Sequence, residues 1–305
     1  MSYRWGHIVD WGVDMGIAWD VIGIYLALGI WGGTLAWGVR TKRYWPFLLF
    51  GLAIAVFLNG RYFVEGQADG IAYFVGIYDV FDNVGLASDE GAPALATCAD
   101  NACTVWGDRF QYHPSWGVAF YERFADGPAL RANLLYVHIA LNTAAFLLMH
   151  YQVWRPGTGA NRNRHRVLGR VTFGLLTLGT GAAVWLSTEH DSVSEYGGVW
   201  AMLGFWSMSA FVYGTAIMGA RTARAGDLVG HRVWMIRNLG SMWGSFWLFR
   251  VMLVVTGPLL RNWEAASLQL SIWLSAPLGI LIAEVIRRRP KQAVTAEPDE
   301  VAVPA

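Results

Sequence analysis

Charged side chains make up only 15% of this chain, and 55% of its 305 residues are hydrophobic. A soluble globular domain usually carries about 25% charged residues, so much of this surface faces something other than water. Lysine is nearly missing: Lys42 and Lys291 are the only two, and neither stands in a phosphate-binding loop. The formal net charge of +1 gives no electrostatic case for a nucleic-acid partner. His-Glu-x-x-His and Gly-x-Ser-x-Gly are absent, and Gly157-Thr-Gly159 has no strand before it to form a dinucleotide fingerprint. The first residues include Arg4, Asp10 and Asp14 but no basic n-region or small-residue cleavage site, so a retained first helix is expected rather than a cleaved leader.

What the chain does have is long apolar runs. They recur at about 15–39, 44–64, 132–154, 167–189, 197–220, 233–256 and 267–286. Each is near the ~20 residues that a helix needs to cross a ~30 Å hydrocarbon core. Only helices or closed barrels satisfy their backbones in lipid, and these runs lack the alternation of barrel strands. The expected fold is therefore all-α, a polytopic membrane helix bundle of about seven transmembrane helices.

The basic residues alternate with the spans. Arg40, Lys42 and Arg43 follow the first; Arg155, Arg162, Arg164, Arg166 and Arg170 surround the loop between the third and fourth. Arg221, Arg224, Arg232 and Arg237 flank the next such loop, and Arg287, Arg288, Arg289 and Lys291 follow the seventh. Sixteen of 23 basic residues thus fall on one side, which the positive-inside rule makes cytoplasmic. Most carboxylates fall on the other, among them Asp79, Asp100, Glu122, Glu189 and Glu195. The expectation is an N-terminus outside, a cytoplasmic C-terminus, and residence in the inner (cytoplasmic) membrane. Trp19 and Trp116 at the outer interface, and Trp37, Trp45 and Trp154 at the inner one, suit aromatic belts.

These runs divide the chain into two N-terminal helices (1–64), an extracytoplasmic segment (65–131), a four-helix core (132–256), a seventh helix (257–289) and a disordered tail (290–305). Within 65–131, Ile71–Tyr78 and Trp116–Tyr121 are too short to span and too apolar for a free loop, so they are expected to cap the outer face. Cys98 and Cys103, the only cysteines, lie there too. Their spacing does not fit Cys-x-x-Cys redox chemistry and they are too few for zinc, so in an oxidising compartment a disulfide is the default.

Ionisable residues within or at the ends of the spans are costly in lipid and usually turn inward. Near the outer side lie His138, His190, Arg250 and, in span one, Asp20 as a candidate partner for Arg250. Near the inner side lie His150, His165 and His231. Spans four and six begin alike, with His165-Arg-Val-Leu-Gly-Arg170 and His231-Arg-Val-Trp-Met-Ile-Arg237, which suggests two copies of one helical hairpin with His165 and His231 at equal depth.

The combination of His165, Arg166, Gly169 and Arg170 with Ala223-Arg-Ala-Gly-Asp227, His231, Arg232, Trp234, Met235, Arg237 and then Arg250 resembles the bacterial predicted membrane protein family known as domain of unknown function number 2306. His138 and Gln152 match a histidine and a glutamine that the family carries in the preceding helix. The resemblance covers about 132–255 and implies a membrane protein, with no activity attached.

Three readings stay open. One is a structural or partner-binding membrane protein that uses 65–131 as an outer cap, with interfacial histidines and arginines and the lipid bilayer as its first partner. Another is a redox protein with b-type haem or metal on His138, His150, His165, His190 or His231, Arg250 holding a propionate. Against it, His138 and His150 are twelve residues apart, about 120° around a helix. The third is a cavity lined by His138, Asp20 and Arg250 that binds or moves a small solute or protons.

Overall fold

The computed structural model describes residues 19–64, 66, 103–104, 111–112, 124, 128–154, 161–188, 198–259 and 264–288. Seven helical rods account for nearly all of them. They are α1 (Trp19–Thr41), α2 (Trp45–Val64), α3 (Ala129–Trp154), α4 (Arg162–Thr188) and α5 (Gly198–Arg224), then a sixth rod in three parts, then α8 (Glu264–Arg288). The sixth rod runs as α6 (Leu228–Trp243), a π-helical turn (Gly244–Leu248) and α7 (Phe249–Leu259). Two antiparallel two-residue strands, β1 (Cys103–Thr104) and β2 (Gln111–Tyr112), are the other elements. The chain is thus an all-α membrane bundle. Five of its helices, α2, α3, α4, α5 and α8, are each long and apolar enough to cross a membrane. The expected cap pieces, the Cys98–Cys103 pairing, His190 and the tail fall outside the described residues, as does the side chain of Asp20.

The helices outrun the apolar runs at the arginine-bearing end. α4 begins at Arg162 and α6 at Leu228, each several residues before its apolar run. A helix satisfies its own backbone wherever it ends, so it continues past the hydrocarbon until a cap stops it. The turn between α5 and α6 shows such a stop. Asp227 N–H bonds Thr222 O at 3.0 Å, and Gly226 has φ of 79°, a left-handed conformation that costs glycine little. Asp227 then caps α6, its carboxylate accepting from Gly230 N–H at 2.8 Å. Asp227→Ala should therefore lower stability by about 1 kcal/mol. Thermal unfolding in maltoside micelles is the check, with Asp227→Asn, which still caps, staying close to wild type.

Lipid tails are as apolar as leucine, so helix association here rests on close packing more than on the hydrophobic effect. α3 packs on α4, α5 on α6, and α8 against α5, α6, the π turn and α7. The α6–α8 seam is the tightest. A Cβ on Gly240 would lie 2.6 Å from Gly279 O, and one on Gly279 would lie 2.8 Å from Gly244 Cα and closer still to Gly240 O. On α8, Ser267, Ser271, Ser275 and Gly279 recur every fourth residue, and the three serines are buried. The outer faces of the rods carry large exposed hydrophobics such as Phe57, Leu178 and Leu281, as lipid contact requires.

An aromatic cluster ties α1, α2 and α3 to the sixth rod. Trp31 stacks on Trp247 (5.3 Å) and Phe47 on Trp243 (5.5 Å), while Phe146 meets Trp243 edge-on at 5.2 Å. Trp247 Nε1–H also donates to Gly51 O at 3.2 Å.

Both hairpins place their arginine-bearing ends together. The His165 and His231 rings, at the starts of α4 and α6, are 6.3 Å apart edge to face. Glu284, near the end of α8, accepts from Arg237 of α6 (3.4 Å) and from Arg287 and Arg288 (2.5 and 2.8 Å). One end of the bundle is therefore basic.

Candidate functional site: an amphipathic cavity beside Arg250

In the half of the bundle away from that basic end, α2, α3, α4, α5, the sixth rod and α8 line a cavity of about 290 Å³. Polar groups from most of these helices line it: Asn59 and Tyr62 from α2, His138, Asn142 and Thr143 from α3, Thr180 and Ser187 from α4, and Ser209 from α5. Ser245 comes from the π turn and Arg250 from α7. The rest of the wall is apolar and aromatic, including Phe205, Phe249, Leu253 and Leu268. The volume lies at the lower edge of the ~300–1,000 Å³ typical of small-molecule sites, and the mix of apolar wall and few polar groups is theirs too.

Arg250 reaches this cavity because of the π turn. Phe249 N–H bonds Gly244 O, one residue further back than in an α-helix. The extra residue rotates α7 by about 100° relative to its place in an unbroken helix. Arg250 Nη1–H donates to Phe246 O at 2.5 Å, and its guanidinium lies 4.4 Å over the Phe246 ring. Its Nε is buried with no hydrogen-bond partner, and no carboxylate lines the cavity among the described residues.

His138 shares the cavity with Arg250. Its Nδ1 lies 3.1 Å from Gly179 O and 3.0 Å from the Asn142 amide. The amide atom beside it is Asn142 Nδ2, so Nδ1–H donates to Gly179 O in one tautomer and Nδ1 accepts from Asn142 Nδ2–H in the other. Asn59 Nδ2–H donates to Thr143 Oγ1 at 2.5 Å, joining α2 to α3 along the same wall.

The other histidines lie elsewhere. His150 is buried, its Nδ1 2.7 Å from Phe146 O and its Nε2 accepting from Trp243 Nε1–H at 3.0 Å. Both ring nitrogens are engaged, which leaves neither for a metal. His231 Nδ1 is 2.8 Å from Gly219 O on α5, which holds the α5–α6 hairpin closed. Among the described residues no three His, Cys, Asp or Glu side chains gather as metal ligands.

The motif residues near the basic end mostly build structure. Asp227 caps α6, Met235 covers Gly219, and Arg237 lies 4.7 Å over the Trp234 ring while pairing with Glu284. Gly169 lies beside Gln152, where a Cβ would make only ordinary contact with its Oε1, and Gln152 Nε2–H donates to Thr172 Oγ1 at 2.8 Å, linking α3 and α4. Arg166, Arg170 and Arg232 are exposed. The cavity residues that sequence reasoning passed over, Asn59, Tyr62, Asn142, Thr180, Ser209 and Ser245, share one signal. Each is a polar side chain within an apolar run, where it needs a partner or a cavity.

The geometry defines a class first: a polytopic α-helical membrane protein with an amphipathic cavity among its helices. Residues 135–286 match the family described as predicted membrane protein (DUF2306), a stretch that runs from within α3 to within α8 and leaves out α1 and α2. No curated protein matches the chain. No solved structure matches it either.

Proposed function

We propose that this chain is a small-solute-binding membrane protein, with its ligand site in the cavity between α3, α4, α5 and α7. One observation carries the reading: a cavity of about 290 Å³ holds an arginine that no carboxylate neutralises among the described residues. Scaffolding of a partner through residues 65–131 would need no such cavity. A haem reading draws support only from the adjacent rings of His165 and His231, since His150 is fully engaged.

The test is thermal unfolding of the purified full chain in maltoside micelles with octyl-chain probes of different head groups. A ligand at a hundred times its Kd stabilises by about 2.7 kcal/mol. At least one probe should raise Tm, and Ala183→Trp, which fills the cavity, should remove the rise without loss of fold. A panel that leaves Tm unmoved sinks the binding reading.

The orientation we propose puts the basic end in the cytoplasm, the N-terminus outside and the chain in the cytoplasmic membrane; the shared end of Arg237, Glu284, Arg287 and Arg288 supports it. A reporter fused after Arg289 should act as cytoplasmic and one near Asp100 as external. Cys98 and Cys103 should resist an impermeant thiol reagent until reduced, as a disulfide there requires. Reversed reporters would overturn the topology.

A further inference from the structure

We infer that the ligand of this cavity is a small anionic amphiphile, a carboxylate-type head on a short apolar body, with the head on Arg250; the inference rests on the binding reading above. The charge argument comes first. Arg250 stays charged at any ordinary pH, and burying a charge is costly unless it is paired. A guanidinium has five N–H donors, and the protein engages Nη1 with Phe246 O while Nε is buried without an acceptor. The Phe246 ring face covers the cation but supplies no countercharge. The groups sharing the cavity are neutral amides, hydroxyls and an imidazole, so the wall holds one fixed positive charge and no negative one among the described residues. A planar carboxylate accepts two parallel guanidinium hydrogen bonds and would supply the countercharge that this wall lacks.

Shape supplies the second half. The wall next to Arg250 is apolar, with Phe249 and Leu253 on its own helix, Phe205 on α5 and Leu268 on α8. A free inorganic anion would leave those faces without contact, and a fully polar organic anion would bury polar groups with nothing to bond. A volume of about 290 Å³ holds about ten groups at the ~30 Å³ that a water takes in liquid. An eight-carbon carboxylate is of that size.

The experiment is calorimetric titration of the full chain in maltoside micelles with octanoate, octan-1-ol and octylammonium, blank micelles being subtracted. Octanoate should bind once per chain, at least about tenfold tighter than octanol, the span of a hydrogen-bonded charge, and octylammonium should not bind. Arg250→Gln should erase the preference for octanoate while octanol binding is unchanged. Arg250→Lys, which keeps the charge, should retain most of the preference and serves if the glutamine variant misfolds. Octanol binding as tightly as octanoate, with neither variant altering the ratio, would overturn the anion while leaving a solute site. Saturable binding by none of the three to a folded chain would remove the site itself. Asp20→Asn is the remaining arm. If it tightens octanoate tenfold or more, Asp20 already neutralises Arg250 and the inference fails; an unchanged affinity supports it.

Discussion

Gly279→Leu should yield no monodisperse protein, the largest effect expected of any single substitution in this bundle. The contact at Gly279 is backbone on backbone. Its Cβ would meet the Gly240 carbonyl and lie 2.8 Å from Gly244 N and Cα, so no flexible side chain can swing aside. Overpacking a core typically costs about 1–3 kcal/mol where side chains can shift; here the α6 and α8 axes would have to part. That separation would also open the π turn, because Gly244 lies against the backbone of Ser275 and Ala276. Gly279→Ala should fold less well than wild type, and size-exclusion elution with thermal unfolding reads both. A Gly279→Leu chain with wild-type elution and Tm would mean that the α6–α8 seam is not the close contact described.

Trp247→Ala should be the most damaging truncation, lowering stability by about 3–5 kcal/mol, the range for deleting a buried aromatic. Trp247 is buried in the π turn, stacks on Trp31 of α1 and bonds the Gly51 carbonyl of α2. One side chain thus fastens both N-terminal helices to the core. Trp247→Phe keeps a ring for the stack and loses the N–H bond, so it should cost nearer 1 kcal/mol. Because Trp31 and Trp247 touch, Trp31→Ala and Trp247→Ala should be less than additive, which a double-mutant cycle in micelles measures. Strict additivity would show that the stack carries no energy.

α1 and α2 lie outside the family match, yet α2 supplies Asn59 and Tyr62 to the cavity. The site is therefore not contained in the four-helix core that the motif marks. A ligand site completed by helices beyond the matched segment is one place where specificity could differ between chains that share the core.

The sequence by itself determined the all-α membrane class, the runs that become helices and the single end on which the arginines gather. The reason is that lipid leaves the backbone one local solution, an internally bonded helix, and hydropathy over ~20 residues reads it directly. The cap at Asp227 and the left-handed turn at Gly226 depend only on neighbours in the chain, although Asp227 stood in the sequence only as part of a motif. The bonds that side chains make across helices were not legible in the sequence. Arg250 was expected in a cavity with His138, and both line one, but a regular helix drawn through span six does not foresee the π turn that rotates Arg250 there and comes with the close seating of Gly244 on α8. His150 and His231 are further cases. Their residue type suggested ligands; in the fold His150 accepts from Trp243, ninety-three positions away, and His231 bonds the Gly219 carbonyl through Nδ1. Such partners come from other helices, and packing in three dimensions, not periodicity along one, chooses them.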